Sequence, residues 1–188
     1  MIKFRAQLTQ FGAWLAAIVV ISSAARVQAH EVVINEIMYH PPSDLENLQY
    51  IELFNSGNEE ADLSEWSFTK GVKFVFSKNT KIAPGGFIVV CRDDAAFLEH
   101  YGTEMQVAGS FEGHLSHNGE RVELSNASKQ VIDAVRYTDS APWPAAADGQ
   151  SSSLERICPL APADEASNWT ASNLPEFKAP AGTRKVTM

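Results

Sequence analysis

Glu36 and Glu52 each fall inside a stretch of alternating apolar and polar residues, and neighbouring strands would bring them side by side. Two carboxyl groups about 5–9 Å apart are what glycoside hydrolysis requires. The competing expectation is structural: acids alternating with apolar residues usually form the solvated face of a sheet and bond to nearby loops. A second pattern comes from His114 and His117, spaced His-x-x-His. On a helix that spacing offers two imidazoles to a metal ion. Here the pair lies beside Asn118-Gly119, a turn dipeptide, and spacing fixes no third ligand. Ordinary loop histidines are the expectation, and His40, just before Pro41-Pro42, is a weaker ligand still.

Calcium suits hard oxygen donors, and an exported domain would meet it at high concentration. Asp44 and Glu46, in the loop after Pro42, and Asp93 with Asp94 are the candidate donors. No EF-hand spacing accompanies them, and solvated loop acids with a helix N-cap explain them equally. No Gly-x-Ser-x-Gly elbow and no phosphate loop is present. Asn126 and Asn168 each open a glycosylation sequon.

Strands must position these side chains. Residues 31–39 alternate, with Ile34, Glu36 and Met38 on one face and Val33, Asn35, Ile37 and Tyr39 on the other. Pro41-Pro42 ends that strand, because proline cannot donate to a ladder. Residues 49–55 alternate again, and residues 63–69 and 72–76 carry Trp66, Phe68, Phe74 and Phe76 as expected core side chains. Residues 83–86 (Ala-Pro-Gly-Gly) read as a turn. The apolar run 87–91, with Val89 at its centre, reads as a strand buried on both faces. Asn118-Gly119 reads as a two-residue hairpin turn into residues 121–124, and residues 131–137 and 153–157 close the series. A single helix is expected at residues 95–101, capped by Asp93-Asp94 and ended by Gly102. Short strands with regular turns predict an all-β chain, an immunoglobulin-like antiparallel β-sandwich with one short helix. Trp66 precedes both cysteines, so true immunoglobulin spacing is absent.

Residues 1–29 read differently. A basic start, an uncharged run at 6–25 and small residues at Val27 and Ala29 form the pattern of a secretory signal cut after Ala29. The densest apolar part, residues 11–21, falls short of the about 20 residues a span needs. The whole uncharged run could just reach across a bilayer as an uncleaved anchor. The expected location is secreted or periplasmic, within the cell envelope, with no membrane span after cleavage. Residues 1–29 carry Lys3, Arg5 and Arg26 and no acid, so the remainder has 12 basic and 23 acidic residues and a net charge of −11. Such a surface repels phosphate backbones, which excludes nucleic acid as an expected partner. Outside the cytoplasm Cys91 and Cys158 invite a disulfide, worth ~4 kcal/mol in the chain-entropy model. Cys91 sits inside an apolar strand, where a buried free thiol is equally natural. Zinc is disfavoured, since neither cysteine has a second Cys or His at ligand spacing.

An ordered series of segments resembles the bacterial lamin tail domain. It runs Val-Ile-Asn-Glu-Ile-Met-Tyr (33–39), Tyr-Ile-Glu-Leu-Phe-Asn (50–55) and Asp-Leu-Ser-Glu-Trp-Ser-Phe (62–68). It continues through Phe-Val-Phe (74–76), Ile-Ala-Pro-Gly-Gly-Phe-Ile-Val-Val (82–90), Arg-Asp-Asp-Ala-Ala-Phe (92–97) and Leu-Ser-His-Asn-Gly-Glu-Arg-Val-Glu-Leu (115–124). Val-Ile-Asp-Ala-Val-Arg-Tyr (131–137), Pro-Trp-Pro (142–144), Ala-Asp-Gly (147–149), Ser-Leu-Glu-Arg (153–156) and Asn-Trp-Thr-Ala-Ser (168–172) complete it. The resemblance implies a domain over residues 30–172 with a C-terminal tail at 173–188. It also implies a non-catalytic module: in animals the fold ends the nuclear lamins and contacts protein partners, and in bacteria it occurs on exported proteins. The family usually carries another polar residue where His117 stands. The expected function is therefore an exported binding or adhesion module for a protein or cell-surface polymer, with no cofactor. The alternative is a calcium- or carbohydrate-binding sandwich, with Trp143 between two prolines as a stacking face.

Overall fold

The computed structural model describes residues 31–42 and 45–172; the expected signal, the expected C-terminal tail and Asp44 lie outside them. Twelve strands are described: β1 (Val32–Met38), β2 (Tyr50–Asn55), β3 (Ala61–Asp62), β4 (Ser67–Lys70), β5 (Phe74–Val75), β6 (Lys81–Ile82), β7 (Phe87–Cys91), β8 (Val107–Ser110), β9 (Gly119–Ser125), β10 (Val131–Thr138), β11 (Leu154–Arg156) and β12 (Trp169–Ala171). One α-helix, α1 (Asp94–Tyr101), joins β7 to β8. The strands form a six-stranded sheet, β12-β11-β1-β2-β7-β8, a four-stranded sheet, β10-β9-β4-β5, and a β3-β6 ribbon.

The core lies between the two main sheets. Ile37, Tyr39, Ile51, Leu53, Ile88 and Val90 come from or adjoin the large sheet, and Phe68, Val122, Leu124, Val135 and Tyr137 come from the small one. Phe68, Phe76 and Val89 are buried, whereas Trp66 and Phe74 are half-buried against the core edge. Val89 is not in the inter-sheet core. It joins Met38, Tyr50, Cys91 and Phe97 in a second cluster, on the outer face of the large sheet beneath α1. That is why the run 87–91 is apolar on both faces: one side meets the core and the other meets the helix.

The all-β class is present, but the sheet is not wholly antiparallel: β7 and β8 run parallel. A parallel neighbour needs a crossover rather than a hairpin, and a helix is the usual means. Asp93 caps that helix by accepting from the Ala96 amide at 3.0 Å, and Gly102 ends it. The hairpin expected at Asn118-Gly119 is absent as well. The strand before it, β8, pairs with β7 in the large sheet, while β9 pairs with β10 and β4 in the small one. Segment 111–118 therefore passes from one sheet to the other, with Gly119 at φ +101° opening β9.

Strand β1 carries the third departure. Its pairing with β2 shifts register between Ile34 and Glu36. The extra residue is a bulge, which re-aims side chains and bends the strand. Ile34 thereby joins Ile37 and Tyr39 in the core rather than Glu36 and Met38. The Ile34 amide is turned towards β10, where it donates to the Asp133 carboxylate at 2.8 Å.

Candidate functional site

Glu36 and Glu52 stand directly opposite each other on β1 and β2, and Glu155 on β11 stands opposite Glu36. Neither Glu36 nor Glu52 is on a solvated face: they are 1 % and 5 % exposed. Glu36 Oε1 accepts from the Tyr50 hydroxyl and the Ser153 hydroxyl, each at 2.5 Å, and Glu52 Oε1 accepts from the Asn35 amide at 2.9 Å. The bulge makes the last bond available by bringing Asn35 to the carboxylate side. Burial pushes the Glu52 carboxyl up to about 7; the Asn35 bond opposes the shift and the Glu155 charge adds to it. Hydroxyl and amide donors from the protein itself occupy Oε1 of each carboxylate, and burial closes the pair to a sugar. The pair is covered and structural.

The histidines assemble in a way their spacing did not foretell. His114 is exposed, and its expected companion His117 stacks instead on His40, with ring centroids 3.8 Å apart and planes 11° from parallel. His40 Nδ1 lies 2.5 Å from Asp148 Oδ1, and His117 Nε2 lies 3.1 Å from Glu46 Oε1. That second contact is an ion-pair distance without hydrogen-bond alignment. Glu46 also accepts from Arg92 at 3.0 Å. A depression of about 460 Å³ beside them is lined by Glu46, Arg92, His114, Ser116, His117 and Asn118. Ring nitrogens point outward in the ring plane, so a parallel stack cannot aim two of them at one ion. Among the described residues, no three His, Cys, Asp or Glu side chains are arranged to hold a metal.

Among the described residues, the calcium candidates Glu46, Asp93 and Asp94 do not form a metal-holding group either. Glu46 is tied to Arg92 and His117, Asp93 caps α1, and Asp94 lies in its first turn. Trp143, the proposed sugar platform, is 8 % exposed and packs against Trp169 with centroids 6.1 Å apart, so it offers no open stacking face.

The Cys91–Cys158 bridge is not made. Both thiols are free, Cys91 buried beneath α1 and Cys158 exposed. Burial pushes the Cys91 thiol up to about 12, with Asp94 and Asp93 adding to the shift. Reactivity needs thiolate and access. A thiol reagent at pH 8 should therefore modify Cys158 in the native protein within minutes and Cys91 only after denaturant is added. Peptide mass mapping after alkylation checks this.

One feature carried no motif. Loop 157–163 presents Ile157 at 60 % and Leu160 at 75 % exposure, the second with a larger exposed fraction than any other large apolar side chain among the described residues. The backbone beneath them is held from inside. Asn168, itself buried, accepts from the Cys158 amide at 3.0 Å and donates to the Cys158, Ala161 and Pro162 carbonyls at 3.0, 3.3 and 3.2 Å. Arg156 donates to the Ala161 carbonyl at 2.7 Å, and the Trp169 indole to the Ala163 carbonyl at 2.8 Å. Read as a sequon, Asn168 looks like a glycosylation acceptor; its amide is instead consumed in this clamp. The available sequence signal was two prolines enclosing two apolar residues, Pro159-Leu160-Ala161-Pro162, just after a strand.

The family model described as Lamin Tail Domain matches residues 26–139 of the chain. No curated protein matches it.

Proposed function

From the premise that the chain belongs to the lamin tail domain family, and is thus a non-enzymatic domain, we propose that it is an exported module that binds a protein through loop 157–163. The observation that carries this reading is the contrast at that loop: a backbone clamped by buried side chains holds Ile157 and Leu160 out in water. Covering these two apolar side chains with a partner would be favourable. A loop already fixed in one shape loses little further entropy on binding. Acidic residues Asp164 and Glu165 flank it, both exposed, so the partner's rim is expected to be basic. Export is supported by the signal-like pattern of residues 1–29.

The test is capture by immobilised protein beginning at residue 30, from envelope fractions of the source cell, with and without chelator. The expected result is one saturable band retained in chelator. Capture that chelator abolishes supports the calcium alternative instead, and saturable binding to polysaccharide alone supports the carbohydrate alternative.

A further inference from the structure

Beyond binding, the outer face of the large sheet carries a device of its own. Glu155, Glu36 and Glu52 form one line across β11, β1 and β2, each in register with the next. Directly opposed residues on neighbouring strands have Cβ atoms roughly 4.5–5.5 Å apart. Like charges in such positions repel, and more strongly where water is excluded. Glu36 and Glu52 are buried, and Glu155 at the end of the line is half-buried. We propose that this line of carboxyl groups stores a proton on Glu52, so that the folded domain is more stable in mildly acidic than in neutral surroundings.

The neighbouring groups set the range. From β2 the Tyr50 hydroxyl donates to Glu36, and from β11 the Ser153 hydroxyl does the same. From α1, Tyr101 packs edge-on to Tyr50 with centroids 5.5 Å apart. Burial keeps both phenols neutral far above the range of interest, Tyr101 pushed up to about 12 and Tyr50 well above its ordinary value. The Glu155 charge adds to the upward shift of the Glu52 carboxyl, and Glu36 stands in register with Glu52.

The sign follows from linkage. The Glu52 carboxyl ionises near its ordinary value in the unfolded chain and near 7 in the folded one. Between those values the folded state holds the extra proton, so stability falls as pH rises through that window and levels off above it. The opposite slope comes from carboxylates held low in the folded state, such as Glu123, whose bonds to Arg121 and Thr69 outweigh its desolvation. That slope is felt below the ordinary carboxylate range, so the two windows separate.

The experiment is urea unfolding of the full chain at intervals from pH 5 to pH 8, for wild type, Glu52→Gln and Glu155→Gln. A shift of this size corresponds to roughly a hundredfold loss in the folding constant of wild type across the window. Glu52→Gln, neutral at every pH and still able to accept from Asn35, is expected to flatten the profile and to exceed wild type at pH 8. Glu155→Gln, at a half-exposed position, is expected to fold normally and to move the wild-type transition to lower pH. Identical slopes in wild type and Glu52→Gln overturn the proposal. If Glu52→Gln does not fold, a transition unmoved by Glu155→Gln overturns it equally.

Discussion

Arg156→Met is expected to destabilise the domain by about 3–5 kcal/mol, the cost of removing one partner from a buried ion pair. The guanidinium is 3 % exposed and the Asp133 carboxylate 12 %, and they meet at 2.6 Å. Asp133 belongs to β10 of the small sheet, and Arg156 to β11 of the large one. The same carboxylate oxygen accepts from the bulged Ile34 amide, and the same guanidinium donates to the Ile34 and Ala161 carbonyls. One side chain therefore ties the two sheets, the β1 bulge and loop 157–163 together. Its loss leaves a carboxylate in a low-dielectric corner and takes one donor from each of the Ile34 and Ala161 carbonyls. Because the cost is mostly that stranded charge, Asp133→Asn placed on top should return a large part of it: the neutral amide still accepts from Ile34. A double variant as unstable as the sum of its single variants in urea unfolding would refute this reading.

Gly119→Ala carries the second large effect. A Cβ at this position would sit 2.5 Å from the Tyr137 carbonyl oxygen and 2.6 Å from the Thr138 Cα. Both are backbone atoms of β10, in register with the start of β9, so neither yields without parting the strands. The φ of +101° adds a conformational penalty for any side chain. We expect at least about 2 kcal/mol from strain of this kind, and more from the broken pairing. Gly113→Ala separates the two terms. It has φ +96° with nothing within 4 Å of the added carbon, so it should cost only the conformational part, about 1 kcal/mol. Equal losses at the two sites in thermal or urea unfolding would contradict the steric account.

The sequence made the regular elements legible because their physics is local. Alternation marks β2, an unbroken apolar run marks β7, and a capping aspartate and a terminal glycine frame α1. What it hid depends on partners far along the chain. One inserted residue at Asn35 exchanges the faces of β1, and period-two reading cannot register an insertion that only the opposite strand defines. Glu36 and Glu52 read as solvated because outward-facing acids usually are; here the outward face is buried. Strand β8, Val-Ala-Gly-Ser, has neither alternation nor bulk, and only its parallel seat beside β7 makes it a strand. Asn118-Gly119 carries hairpin chemistry, but its glycine serves a change of sheet. His40 and His117 meet through a fold that spacing along the chain does not encode. Loop 157–163 offers only the two prolines at 159 and 162, because the clamp that fixes its backbone comes from Asn168 and Arg156 outside it.

In the proposed mode of action, the domain presents a fixed apolar loop to a partner. The most direct test is an equilibrium capture isotherm comparing wild type with the Ile157→Asp/Leu160→Asp variant. Both positions are solvent-exposed, so the variant is expected to unfold at the wild-type urea midpoint and to lose at least about tenfold in affinity. Undiminished capture by an equally stable variant would place the binding surface elsewhere and contradict the account.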